Sequence, residues 1–351
     1  MKPFNFSLII LSALFFSGCK QAKSQEPETG RIHVYKNLAL FIIQGNDQTS
    51  REYCTLEEAM DQKHINLRET GNVGELTIDN PSGKYVFIMS GDIVKGGKQD
   101  RTIAEDVILK PQSKGVPLKS FCVEQSRWSP RGNESASTFS SSKQMLSNKV
   151  LKIAAREKKQ QGAVWAEVSN FQEKAGKNIN KDVKSSASAS SLQLTLENED
   201  LKLAVKEYVK EMEDFLADKK DVLGLGFYIN GKLSTIDVFG NTSLFLKLKP
   251  KLIESAANEA VSEYDQDLVF DIPEIGEIDQ LIADAEKGEE VSVRTGNTIE
   301  KKHKTDKCIL FHTFDADESG KPVHSSLFST EGINIEKPVV PNNRFFQNRN
   351  N

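Results

Sequence analysis

Short apolar and β-branched runs separated by polar turns fill the first third of the chain, a pattern that predicts strands. Residues 32–35 (IHVY) and 38–43 (LALFII) are two such runs; residues 76–79, 85–89, 107–109 and 118–124 are four more. Asn80-Pro81-Ser82-Gly83 spells a turn between two of them. Thr55, with Glu58 three residues on, completes a capping box, so a short helix is expected from residue 55 to 60. Further along, the period changes. Leu201, Val205, Tyr208, Met212 and Phe215 recur at alternating steps of four and three, which places them on one face of an amphipathic helix.

Other helices are expected over about 143–156, 164–174 and 278–287. Phe245, Leu248, Leu252, Ala256 and Ala260 mark one more, which Pro250 should kink or restart. Asn230-Gly231, between residues 223–229 and 233–239, is the strongest hairpin signal in the chain. Residues 291–295, 308–314 and 323–328 read as closing strands. Residues 133–142 (NESASTFSSS) and 185–191 read as polar linkers. The expected fold class is α+β: antiparallel β-sheet segments with packed helices, in a single composite domain over 31–330 followed by a loose tail, 331–351. No internal repeat is evident.

The 351 residues are 38% hydrophobic and 27% charged, which suits a globular body. A net charge of −4 provides no field that would draw in nucleic acid, so no nucleic-acid partner is expected. Charge is uneven, with ten Lys/Arg against four acids from Lys143 to Lys184 and thirteen acids against one lysine from Glu254 to Glu290. Solvated helical faces of opposite sign are the expected outcome. At the start, Met1-Lys2-Pro3, an apolar run over 8–16 and the small pair Ser17-Gly18 precede Cys19. The run is shorter than the roughly 20 residues a membrane span needs and reads as an export signal. It resembles a bacterial lipoprotein signal, although Phe16 stands where Leu is preferred. The expectation is a signal peptide over 1–18, lipidation of Cys19, a flexible tether over 19–30 and a lipid-anchored place in the cell envelope. An ordinary signal with an incidental cysteine is the other reading. Cys54, Cys122 and Cys308 remain, an odd number that leaves either three inert thiols or one disulfide and one thiol.

Two clusters carry candidate chemistry. The first follows the strand at 85–89: Ser90-Gly91-Asp92-Ile93-Val94-Lys95-Gly96-Gly97-Lys98-Gln99-Asp100-Arg101. Its glycines permit positive φ and close backbone approach to a ligand, and Lys98 and Arg101 are placed to neutralise an anion. Neither phosphate-loop pattern, G-x-x-x-x-G-K-[ST] nor G-x-G-x-x-G, is present, and a solvated turn is the plainer reading. The second cluster is Ser120-Phe121-Cys122-Val123-Glu124-Gln125-Ser126-Arg127-Trp128. It offers a carboxylate, an amide, a guanidinium and an indole for a planar or sugar-like ligand. An edge strand with a structural Arg–Glu pair is its plainer reading. Asp315-Ala316-Asp317 begins like a calcium loop, but Ser326 stands where the bidentate Glu belongs, so a hairpin turn is expected there. His312 and His324 flank that turn and are placed to face each other. No metal site and no cofactor is expected, and no G-x-S-x-G elbow is present.

Together with Gln161-Gly162-Ala163-Val164-Trp165, residues 224–240 and the closing run Val323-His324-Ser325-Ser326-Leu327-Phe328, these clusters look like the domain family associated with ADP-ribosylglycohydrolases and rhodanese-phosphatases. The likeness runs from about His33 to Phe328. Asp100 stands where the family has Asn, Gly97 where it has Ala, and Asp92 where it commonly has Glu. Lys98, Gln99, Arg101, Cys122, Glu124, Gln125, Arg127 and Trp128 match in type. The resemblance implies one ligand site shared by the two clusters.

Three functions fit. The first is a lipoprotein that binds an anionic small molecule, a nucleotide or sugar derivative, through Lys98, Gln99, Arg101, Glu124, Gln125, Arg127 and Trp128. The second is a hydrolase using Asp92, Asp100 or Glu124 as acid or base. The third is a structural envelope lipoprotein. Nothing in the sequence sets the oligomeric state.

Overall fold

The computed structural model describes residues 27–125, 127, 129–131, 138–318 and 320–333. The expected export signal with Cys19, most of the expected tether, Trp128 and the residues beyond 333 lie outside them.

Strands β1 (Glu28–Tyr35), β2 (Leu38–Gln44) and β3 (Tyr53–Thr55) lead into α1 (Leu56–Asp61), which carries the expected capping box of Thr55 and Glu58. Next come β4 (Asn66–Glu69), β5 (Glu75–Asn80), β6 (Tyr85–Ile88), β7 (Asp92–Gly96), β8 (Arg101–Ile103), β9 (Val107–Leu109), β10 (Ser113–Cys122) and β11 (Phe139–Met145). Helix α2 (Lys149–Ile153) runs into a π-helical turn (Ala154–Lys158), and α3 (Gln161–Ile179), α4 (Leu192–Leu196) and α5 (Glu199–Leu216) follow. The hairpin of β12 (Val222–Ile229) and β13 (Lys232–Phe239) precedes α6 (Thr242–Ser262) and α7 (Ile275–Ala285). The last four strands are β14 (Glu289–Thr295), β15 (Thr298–Lys304), β16 (Cys308–Asp315) and β17 (His324–Ser329).

The class is α+β, and the sheets are almost wholly antiparallel. An eight-stranded sheet has the order β1-β2-β12-β13-β17-β16-β15-β14, a six-stranded sheet the order β11-β7-β8-β10-β5-β4, and a three-stranded sheet the order β3-β6-β9. The one parallel pair is β3 with β6. Residues 38–43 are apolar without alternation because β2 is buried on both faces. Leu38, Leu40 and Ile42 pack into the main core with residues of α3, α5 and α6. Ala39, Phe41 and Ile43 pack on the opposite face, where Ile278 and Ala285 of α7 cover them. At the β12–β13 turn, Asn230 and Gly231 take φ of 52° and 73°, the left-handed pair that a two-residue hairpin needs.

Several expectations are corrected. The polar run at 139–145 is an edge strand, β11, because it pairs with β7, and it takes the first residues assigned to a helix over 143–156. That helix starts at Lys149, capped by Asn148. Residues 185–191 are no slack linker: Ser191 caps α4, and Ser190 binds the backbone of Gln125. Pro250 neither kinks α6 into two helices nor restarts it, because α6 is buried on several sides and runs unbroken from Thr242 to Ser262. The basic and acidic stretches are not wholly solvated; they partly meet, with Lys174 on Glu263 at 2.7 Å and the Lys149 N–H on Glu259 at 3.0 Å. His312 is opposite Ser325 and His324 is opposite Thr313, so the two histidines point to opposite faces of the sheet rather than at each other.

Candidate functional site

The β7–β8 turn builds the site from below. Gly96 and Gly97 have φ of 106° and 58°, and a Cβ on Gly97 would lie 2.6 Å from the ring of Phe139. This conformation folds Asp100 back so that its Oδ1 accepts the Gly96 N–H at 3.0 Å. The other two family-like segments are tied to the same turn. Gln99 Nε2 donates to the Glu124 carbonyl at 2.9 Å, and the Val123 N–H donates to the Asp100 carbonyl at 3.1 Å. The Gln161 side chain makes two bonds to the Cys122 backbone, accepting its N–H at 2.8 Å and donating to its carbonyl at 2.7 Å. Ser190 Oγ makes a matching pair with the backbone of Gln125.

Two carboxylates and two guanidiniums meet there. Glu124 and Asp100 are fully buried. Arg127 Nε is 2.6 Å from Glu124 Oε2, and its Nη2 is 3.5 Å from Asp100. Arg131 Nη2 is 2.8 Å from Asp100 Oδ2, and its Nη1 is 3.2 Å from Ser191 Oγ. Among the described residues Glu124 Oε1 is buried with no hydrogen-bond partner; Arg131 Nη1 forms a looser ion pair with it at 3.7 Å. Burial raises the Asp100 carboxyl above its usual range and the Glu124 charge adds to the rise, against the opposing pull of Arg131, the Gly96 N–H and Arg127.

The structure thus joins Gln99, Asp100, Glu124, Gln125 and Arg127, and it separates Arg101 and Asp92 from them. Arg101 is fully buried and turned the other way, with its guanidinium on Glu69 at 3.2 Å and on the Val73 carbonyl. The Lys98 backbone N–H is 3.4 Å from the same Glu69. The reason is strand alternation: once Asp100 points towards Glu124, its neighbour at the start of β8 points away. Asp92, at the far end of β7, forms its own buried pair with Lys251 at 2.9 Å. Sequence reasoning missed Arg131 and Ser191; no local pattern links them to Asp100.

Also missed was a second buried network. Asp106 Oδ2 is 2.8 Å from His324 Nδ1, 2.7 Å from Thr313 Oγ1 and 3.2 Å from Arg156 Nη2. Asp237 Oδ1 meets His324 Nε2 at 3.2 Å, and the ring stacks on Phe239. Burial alone would lower the His324 pKa, but the two aspartates outweigh it and hold the imidazole at about 9. Arg156 and His324 in turn outweigh the burial of Asp106 and keep it well below the usual carboxylate range. The network is enclosed, and its chemistry is that of a structural clamp.

Cys54, Cys122 and Cys308 are all free thiols, and burial raises each; Cys122 is pushed up to about 11. Among the described residues no group of His, Cys, Asp and Glu is arranged to hold a metal, and no helix is long and apolar enough to cross a membrane.

Compared with known proteins, residues 26–328 match the family model described as the ARG and Rhodanese-Phosphatase-superfamily-associated Protein domain. No curated protein and no solved structure matches the chain.

Proposed function

The chain belongs to the ARG and Rhodanese-Phosphatase-superfamily-associated Protein domain family, and on that premise we propose that it binds an anionic small molecule, a nucleotide or sugar derivative, at the Asp100–Glu124–Arg127–Arg131 cluster. The observation that carries this reading is Glu124 Oε1, a buried acceptor without a hydrogen bond, beside two guanidiniums held in place by carboxylates. A buried acceptor left unmet costs about 1 to 3 kcal/mol, which a ligand hydroxyl would recover. The guanidiniums are the residue type suited to a phosphate or carboxylate on the same ligand. Arg101 leaves the proposed contact set because its guanidinium turns to Glu69.

A thermal-shift panel of nucleotides and sugar phosphates tests it. A ligand should raise the melting temperature by mass action, and the near-isosteric Glu124→Gln should weaken that ligand about tenfold or more while leaving the unliganded fold intact. A broad panel without a hit would overturn the proposal and leave the cluster as a structural tie. The buried carboxyl pair of Asp100 and Glu124 supports a second reading, a hydrolase in which Asp100 acts as acid or base. Turnover of the bound compound, abolished in Asp100→Asn, would distinguish catalysis from binding. Asp92 plays no part in it, being paired with Lys251.

We also propose that the domain is held at the cell envelope through a lipidated Cys19, which follows the short apolar run and Ser17-Gly18. Cys19→Ser should move the protein from the membrane to the soluble fraction; an unchanged distribution would refute the anchor.

A further inference from the structure

On the face of the eight-stranded sheet opposite the main core, α7 roofs a cavity of about 640 Å3. Its floor is cross-strand: Ile236 of β13, Leu310 and Phe314 of β16 and Leu327 of β17, with Ile282 of α7 above. On the sheet floor one polar pair interrupts the apolar residues. His312 Nδ1 and Ser325 Oγ are 2.7 Å apart on paired positions of β16 and β17, and both line the cavity. Burial, with His303 and Lys301 adding to it, lowers the imidazole to about 4, so His312 is neutral at physiological pH and presents one nitrogen as a donor or acceptor. Asp279 and Glu286 stand at the wall from α7, with Lys321 from the β16–β17 connection.

We propose that this cavity is a second binding site, for an uncharged amphiphile with an apolar body and one hydrogen-bonding head, the head meeting the His312–Ser325 pair. The volume is that of a site for a drug-sized ligand, and largely apolar walls with one fixed polar group are how such sites orient what they hold. An anionic head fits poorly because the acids of α7 oppose it, and a cationic head meets Lys321 at the same wall. The pair is not arranged as a nucleophile and base. Ser325, near the start of β17, has its backbone in the β13 and β16 ladders, which leaves no N–H pair aimed at a developing oxyanion.

The test uses the full chain and the neutral fluorophore N-phenyl-1-naphthylamine, displaced by decan-1-ol. The wild type should enhance the fluorescence saturably, and decanol should compete. Val238→Trp, from the floor, and Ala283→Trp, from the exposed face of α7, should each fill the space and abolish the enhancement at an unchanged melting temperature. His312→Phe should still take the fluorophore but bind decanol about fivefold to tenfold more weakly, the loss expected for one hydrogen bond. No enhancement with the wild type, or full enhancement in both tryptophan variants, overturns the site. Equal decanol affinity in His312→Phe overturns the assigned head position.

Discussion

The clamp at His324 predicts a particular dependence of stability on pH. A histidine titrates near 6.5 in an unfolded chain, and at about 9 between Asp106 and Asp237. Each tenfold in proton affinity is about 1.4 kcal/mol, so the raised value contributes about 3 kcal/mol of folding stability. Because the folded pKa is the higher one, that stability is present in full below the unfolded value and is lost as pH rises through the folded value. The window is therefore about pH 6.5 to about 9. With an unfolding entropy of about 2 cal/mol/K per residue, a domain of this length should lose about 5 °C of melting temperature across it. Far-UV circular dichroism melts between about pH 6 and pH 9.5 read the effect. Cys122 and the buried Lys149 also titrate towards the alkaline end, so the decisive quantity is the difference from His324→Gln. That variant should start about 3 to 5 kcal/mol less stable at pH 6, having lost the cation between two buried acids. Its difference from wild type should then narrow as pH rises. A gap between wild type and variant that stays constant across the window would refute a charged His324 in the fold.

Two further outcomes test local geometry. Gly231→Ala should destabilise the protein by about 1 to 2 kcal/mol in urea unfolding, because φ is 73° and the new Cβ would lie 2.7 Å from the Asp271 carbonyl. Pro250→Ala should raise stability by about 1 to 3 kcal/mol in the same assay, since Pro250 is on the exposed side of α6 and denies the helix one backbone hydrogen bond.

What the sequence disclosed was its short-range chemistry. The Thr55–Glu58 box, the Asn230-Gly231 turn and the buried face of α5 each depend on residues within a few positions of one another. Strands lacking an apolar side escaped notice. β15 (TIEKKHK) is half-exposed along most of its length and owes its place to seven paired positions with each of its neighbours. β11 is polar because only Ser142 and Met145 are buried. For the site, the two conspicuous segments do converge. Which residues face each other was hidden, since strand alternation sends Asp100 one way and Arg101 the other. Arg131 reaches Asp100 across 31 positions, a contact with no local signature.

The clamp also bears on when the fold can close during synthesis. Asp106, Asp237 and His324 are separated in sequence by 131 and 87 positions. Likewise β13 lacks one hydrogen-bonded neighbour until β17 arrives. Any nascent chain ending before residue 324 therefore carries Asp106 and Asp237 without the cation that joins them. Contacts this distant in sequence form slowly, so the domain stays open until β17 has been made. The last strand is the one that commits it.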